Sequence, residues 1–137
     1  MTNLDKAAPT LVRTWRLDLD SDTHAPALAR HSLRGWLRLV TCRDDTKIDV
    51  TILVSEFVTE AATSDATHVS ISMIFDEGRL RIDVHAREEA PAGGGGRTPI
   101  QTATGPSFAD RIADIATDNW GRTRQPDTTH AWAEILC

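Results

Sequence analysis

Leu11, Arg13, Trp15 and Leu17 alternate with their neighbours in LVRTWRLDLD, and a period of two predicts a strand. SDTHAP breaks that pattern with an N-cap candidate in Thr23 and a proline placed for a first helical turn. From 26 to 40 the apolar positions Leu28, Leu33, Trp36, Leu37 and Val40 follow helical spacing. TCRDDT ends that helix and offers caps for a second one over about 47–63. There Val50, Val54, Phe57, Val58 and Ala61 share one side, while Asp49, Ile52, Glu56, Glu60 and Thr63 share the other. HVSISMIF and RLRIDVHA, separated by DEG, predict a hairpin. REEAPAGGGGRTPIQTATGP has no periodicity and reads as a long loop, about 87–105. Helical spacing returns in SFADRIADIATDN through Phe108, Ile112 and Ile115. NWGRTRQ and HAWAEIL then read as two strands around the turn PDTT. Strand, helix, helix, two strands, loop, helix, two strands predicts an α+β two-layer sandwich with a mixed or antiparallel sheet covered by helices.

Composition narrows the class without naming a function. A chain of 137 residues is expected to form one domain over 10–137 behind a disordered lead, 1–9. The formal net charge of -5, with no basic patch, speaks against nucleic acid as a partner. No apolar run approaches the length of a membrane span, and MTNLDKAAPT has neither region of a signal peptide. The two cysteines, Cys42 and Cys137, have neither metal-ligand spacing nor a framework pattern, so a reduced cytoplasmic setting is the default expectation. The five histidines are scattered without a pair at zinc spacing. PAGGGGRT misses a P-loop at Pro91 and Arg97 and lacks the flanking strand and helix, so it reads as a lid-like loop. The four tryptophans read as core packing.

The segments WRLDLDSDTHAPALARHSLRGWL, ILVSEFVTEAA, GRLRIDVHAREEAP and NWG…THAWAEIL together resemble small bacterial ATP-binding regulators of the anti-sigma-factor serine kinase type. These belong to the GHKL superfamily of histidine kinase-like ATPase domains, and the resemblance runs over about 10–137. It implies a Bergerat-type sandwich with ATP between the sheet and the second helix. It also implies protein partners, a sigma factor or a STAS-type antagonist. By resemblance Glu56 is the family's glutamate that orients or deprotonates the attacking hydroxyl, a role suited to phosphoryl transfer.

Four positions depart from the family's ATP site. Glu60 stands where an asparagine holds Mg²⁺, and Ala86 where an aspartate accepts from the adenine amino group. GPSFAD replaces the second glycine box, keeping Gly105 but adding Pro106 and Phe108. His130 aligns with the threonine of the family's Gly-Lys-Thr turn, although a slip of one residue puts Thr129 there. The expectation is an anti-sigma-like regulator that acts by protein binding, with lost or weak ATP binding and no cofactor. One alternative is an active serine kinase, with Glu56 as base and Glu60 as direct Mg²⁺ ligand for bound ATP. Another is a structural or scaffold subunit, for instance a homodimer.

Overall fold

The computed structural model describes residues 12–89 and 107–137. The expected lead, most of the expected lid loop, and Gly105 therefore lie outside the described residues. Eight elements follow in order: β1 (Arg13–Asp20), α1 (Ala25–Leu37), α2 (Asp44–Ala62), β2 (His68–Asp76), β3 (Arg79–Arg87), α3 (Phe108–Ala116), β4 (Asn119–Gln125) and β5 (Thr128–Leu136). The strands form one five-stranded sheet in the order β1-β2-β3-β5-β4, and every neighbouring pair is antiparallel.

The DEG hairpin forms because Glu77 and Gly78 both take positive φ, 52° and 75°. A two-residue turn of that hand matches the twist of the flanking strands, and glycine adopts it without steric cost. Strand alternation then sends one set of side chains to the helices. Trp15, Leu17 and Leu19 face them from β1, Val69, Ile71 and Met73 from β2, Leu80, Ile82, Val84 and Ala86 from β3, and Ala131, Ala133 and Ile135 from β5. α2 lies at the centre of the helical layer. Val50, Leu53, Val54, Phe57, Val58 and Ala61 are all buried, a wider arc than the single stripe expected. Leu53 and Ser55 fill the extra arc, and Arg30 of α1 donates to Ser55 Oγ at 2.7 Å.

Three local expectations change. Thr23 does not cap α1; the N-cap is His24, with no side-chain cap bond. The stripe expected to bury α3 faces outward at Phe108 (63% exposed) and Ile115 (87%), whereas Ala109, Asp110 and Ala113 are buried. The nine-residue helix packs through Ala109, Asp110 and Ala113, and of the expected stripe Ile112 alone stays partly buried against the core. The cysteines, expected to be reduced, form a disulfide between Cys42 and Cys137, with Cα atoms 4.7 Å apart. Among the described residues no helix is long and apolar enough to cross a membrane.

Candidate functional site

α2 runs from the α1–α2 connection towards the end of the sheet where Arg87 pairs with Thr128, and its last turns carry Glu56 and Glu60. Glu56 is half-buried. Glu60 meets Arg122 of β4, whose Nη1 lies 2.9 Å from Glu60 Oε1. The other Glu60 oxygen, Oε2, is buried with no hydrogen-bond partner among the described residues. Strand alternation points Arg122 to the helical side, since its register partner is the buried Ala131. Its side chain is 12% exposed. The guanidinium stands 5.3 Å from the centre of the Phe57 ring, so an aromatic face backs the charge.

The second carboxylate on Arg122 comes from α3. Asp110 Oδ1 accepts from Arg122 Nε at 3.1 Å and from Nη2 at 2.6 Å. The same residue completes a capping box: Ser107 Oγ accepts from the Asp110 amide at 3.1 Å, and Asp110 Oδ2 accepts from the Ser107 amide at 3.2 Å. Burial pushes the Asp110 carboxyl up, but the Arg122 hydrogen bonds and the Ser107 amide outweigh it and hold the group below the ordinary carboxylate value. One arginine of β4 thus ties the end of α2 to the start of α3 on the helical side of the sheet. The tie explains how two glutamates one turn apart coexist on α2, since Glu60 has a countercharge.

The remaining candidate positions divide between the two faces of the sheet. Ala86 and Thr129 are register partners on β3 and β5 and face the helices, so Thr129 is the residue on the side of Glu60. His130 points to the opposite, open face. There His130 Nε2 lies 2.7 Å from Asp83 Oδ1, and its ring stacks on His85 at 4.0 Å between centroids. Burial and the neighbouring His130 push the His85 imidazole down, against the pull of Asp83. Arg81 grips Asp83 through two hydrogen bonds of 3.0 Å, reaches Glu134 at 3.6 Å and lies 4.6 Å from the Trp132 ring centre. A glutamate that aligns with a metal ligand therefore enters an ion-pair triad, and the aligned histidine joins a polar ladder on the other face. Among the described residues no three His, Cys, Asp or Glu side chains are grouped to hold a metal ion.

Sequence reasoning missed Arg122 and Asp110. The SFAD tetrapeptide carries the Ser-x-x-acid signature of a capping box, so Asp110 had a local signal. Arg122 had none, because only strand register aims it at Glu60.

No protein-family model matches the sequence, and the search of curated proteins finds no match. A solved structure does match: the RsbU and RsbW domains of Rv1364c from Mycobacterium tuberculosis. Its TM-score is 0.70 at 16% identity, covering 90% of this chain and 32% of that one. The chain has an RsbW-like sandwich fold. At that identity the likeness establishes architecture, and the present chain spans about a third of its neighbour's length.

Proposed function

We propose that this chain is a regulatory protein of the RsbW type that works by binding protein partners, with its nucleotide site closed by its own Arg122. The observation that carries the reading is the Glu60–Arg122–Asp110 triad. The RsbW-like fold and the resemblance of VSEFVTEA to the family's glutamate helix support reading that cluster as the nucleotide site. Arg122 Nη1 is 2.9 Å from Glu60 Oε1, so a cation held by that carboxylate would share it with a guanidinium. Two unit charges that close repel by several kcal/mol at a protein-like dielectric, on the order of 332/(εr). Ala86 offers the adenine amino group no side-chain acceptor, which removes a main source of base selection. The residues present do not fit Mg-ATP, and no phosphoryl-transfer step follows through Glu56. The family resemblance supplies the partner class, a sigma factor or its STAS-type antagonist.

Isothermal titration of the full chain with Mg-ATP tests the nucleotide side. The expected affinity is weaker than about millimolar, or roughly 4 kcal/mol of binding. Micromolar binding would overturn the closed site and favour the kinase alternative. Titration with purified sigma factors and STAS-domain proteins from the source genome tests the partner side. A saturable complex with one of them is expected, and none with any member of either class removes the regulatory reading.

A further inference from the structure

Cys42 lies in the connection between α1 and α2, and Cys137 directly follows β5. Their sulfurs are joined across a sequence separation of 95, and the chain contains no other cysteine. Both residues are half-buried. The bond fastens the helical layer to the sheet at the β2–β3 turn. Cys137 N–H also donates to Gly78 O at 2.7 Å, and beside Cys42 the side chain of Val40 is 3% exposed. Neither tie involves the sulfurs. When the disulfide opens, strand pairing and core packing still hold the two thiols near each other, as reversible closure requires.

We propose that Cys42 and Cys137 form a redox-exchangeable latch that fixes the α1–α2 connection, and the start of α2, to the end of β5. Closure proceeds by exchange with a low-molecular-weight disulfide. One cysteine thiolate attacks that disulfide, expelling one small thiolate and forming a mixed disulfide. The second cysteine then attacks the protein-bound sulfur, closing the Cys42–Cys137 bond and releasing the other small thiolate. Two electrons pass from the protein dithiol to the small disulfide, which leaves as two thiols, and excess small thiol reverses both steps. The latch lies at the opposite end of α2 from Glu60, so it restrains the helix away from the ion triad. It goes beyond the proposed function and does not depend on it, because thiol accounting is blind to nucleotide and to partner.

The test equilibrates the folded full chain across a series of glutathione to glutathione-disulfide ratios, quenches with an alkylating agent and reads intact mass. The expected result is one two-electron transition between dialkylated protein and a disulfide form that takes no label, without an accumulating glutathione adduct. Cys42→Ser and Cys137→Ser should each abolish the transition and leave the remaining cysteine as a single glutathione adduct. Amide exchange on the two forms gives the second readout. Protection across 39–45 should fall at least tenfold on reduction, with little change at 108–113. Protein that stays dithiol at every ratio overturns the latch. So does a disulfide that resists reductant until the chain unfolds, and so does an equal loss of protection throughout the chain.

Discussion

Replacing Arg122 by methionine keeps an unbranched side chain over Phe57 while removing the charge that Asp110 and Glu60 share. The Asp110 arm is short, 2.6 Å, and that side chain is 8% exposed, so the stranded carboxylate meets the cost of a broken buried pair, about 3–5 kcal/mol. Two features pull the figure to the lower end. Asp110 keeps the Ser107 amide, and it can take up a proton. The Glu60 arm is 31% exposed and screened, worth about 0.5–1 kcal/mol. The total is about 3.5–4 kcal/mol. With an unfolding entropy of about 2.1 cal/mol/K per residue, this chain loses roughly 12–14 °C in Tm. Melting and urea titration at pH 7 read both quantities. The acid limb adds a signed check. In the parent, Asp110 titrates below its unfolded value, so its contribution is full above that value and is lost as the pH falls through the lower folded one. In Arg122→Met the lowering by Arg122 is gone and burial still raises the carboxyl, so it titrates higher than in the parent and acidification from neutral should shrink the deficit. Adding Asp110→Asn should likewise recover part of the loss at pH 7, because the stranded charge goes. A deficit below about 1 kcal/mol, the worth of an exposed pair, or strict additivity of the two substitutions, refutes the triad as the element that closes the site.

Glu60→Ala should lower stability by about 1 kcal/mol, since Arg122 loses a partner, and a melt showing a gain would mean that repulsion from Glu56 dominates. Gly121→Ala puts a Cβ 2.6 Å from Trp132 Nε1 and 2.7 Å from two ring carbons, so the indole must shift. A loss of about 1–3 kcal/mol in urea titration is expected, and an unchanged midpoint would show that the ring moves freely. Val54→Asp places a carboxylate at a fully buried position of α2, and a loss of several kcal/mol or failure to fold should show in circular dichroism. A stable Val54→Asp protein would mean that α2 does not pack as described.

Sequence pattern carried the elements well where burial follows large apolar side chains. The alternation in β1–β3 and β5, the DEG turn and the apolar side of α2 all appear where their periods place them. It failed at α3, where the buried face is Ala109, Asp110 and Ala113. A reading weighted by hydrophobicity selects phenylalanine and isoleucine over alanine, yet alanine permits the close approach of two helices. The cystine was equally hidden. Cys42 meets Cys137 because β3 pairs Arg79 with Leu136, which brings the residue after β5 to the Gly78 turn. No local spacing encodes that.

The candidate site was half visible, and the division follows the reach of each interaction. Period-two alternation alone separates Thr129 from His130, because neighbours on a strand face opposite ways. Along its own helix, Glu60 fits a solvated polar residue as well as a metal ligand, and nothing there points to Arg122. Its partner arrives from β4 and is shared with α3. On the proposed reading, the departure at Glu60 is matched to Arg122. An asparagine at position 60 would offer Arg122 only a neutral acceptor, whereas glutamate supplies the negative charge that a buried guanidinium needs. An arginine tethered to the sheet is also present at a high effective concentration, which a divalent ion from solution must match before it can displace the guanidinium. On the proposed reading Glu60 and Arg122 act as one unit, in which the fold itself supplies the cation that the carboxylate holds.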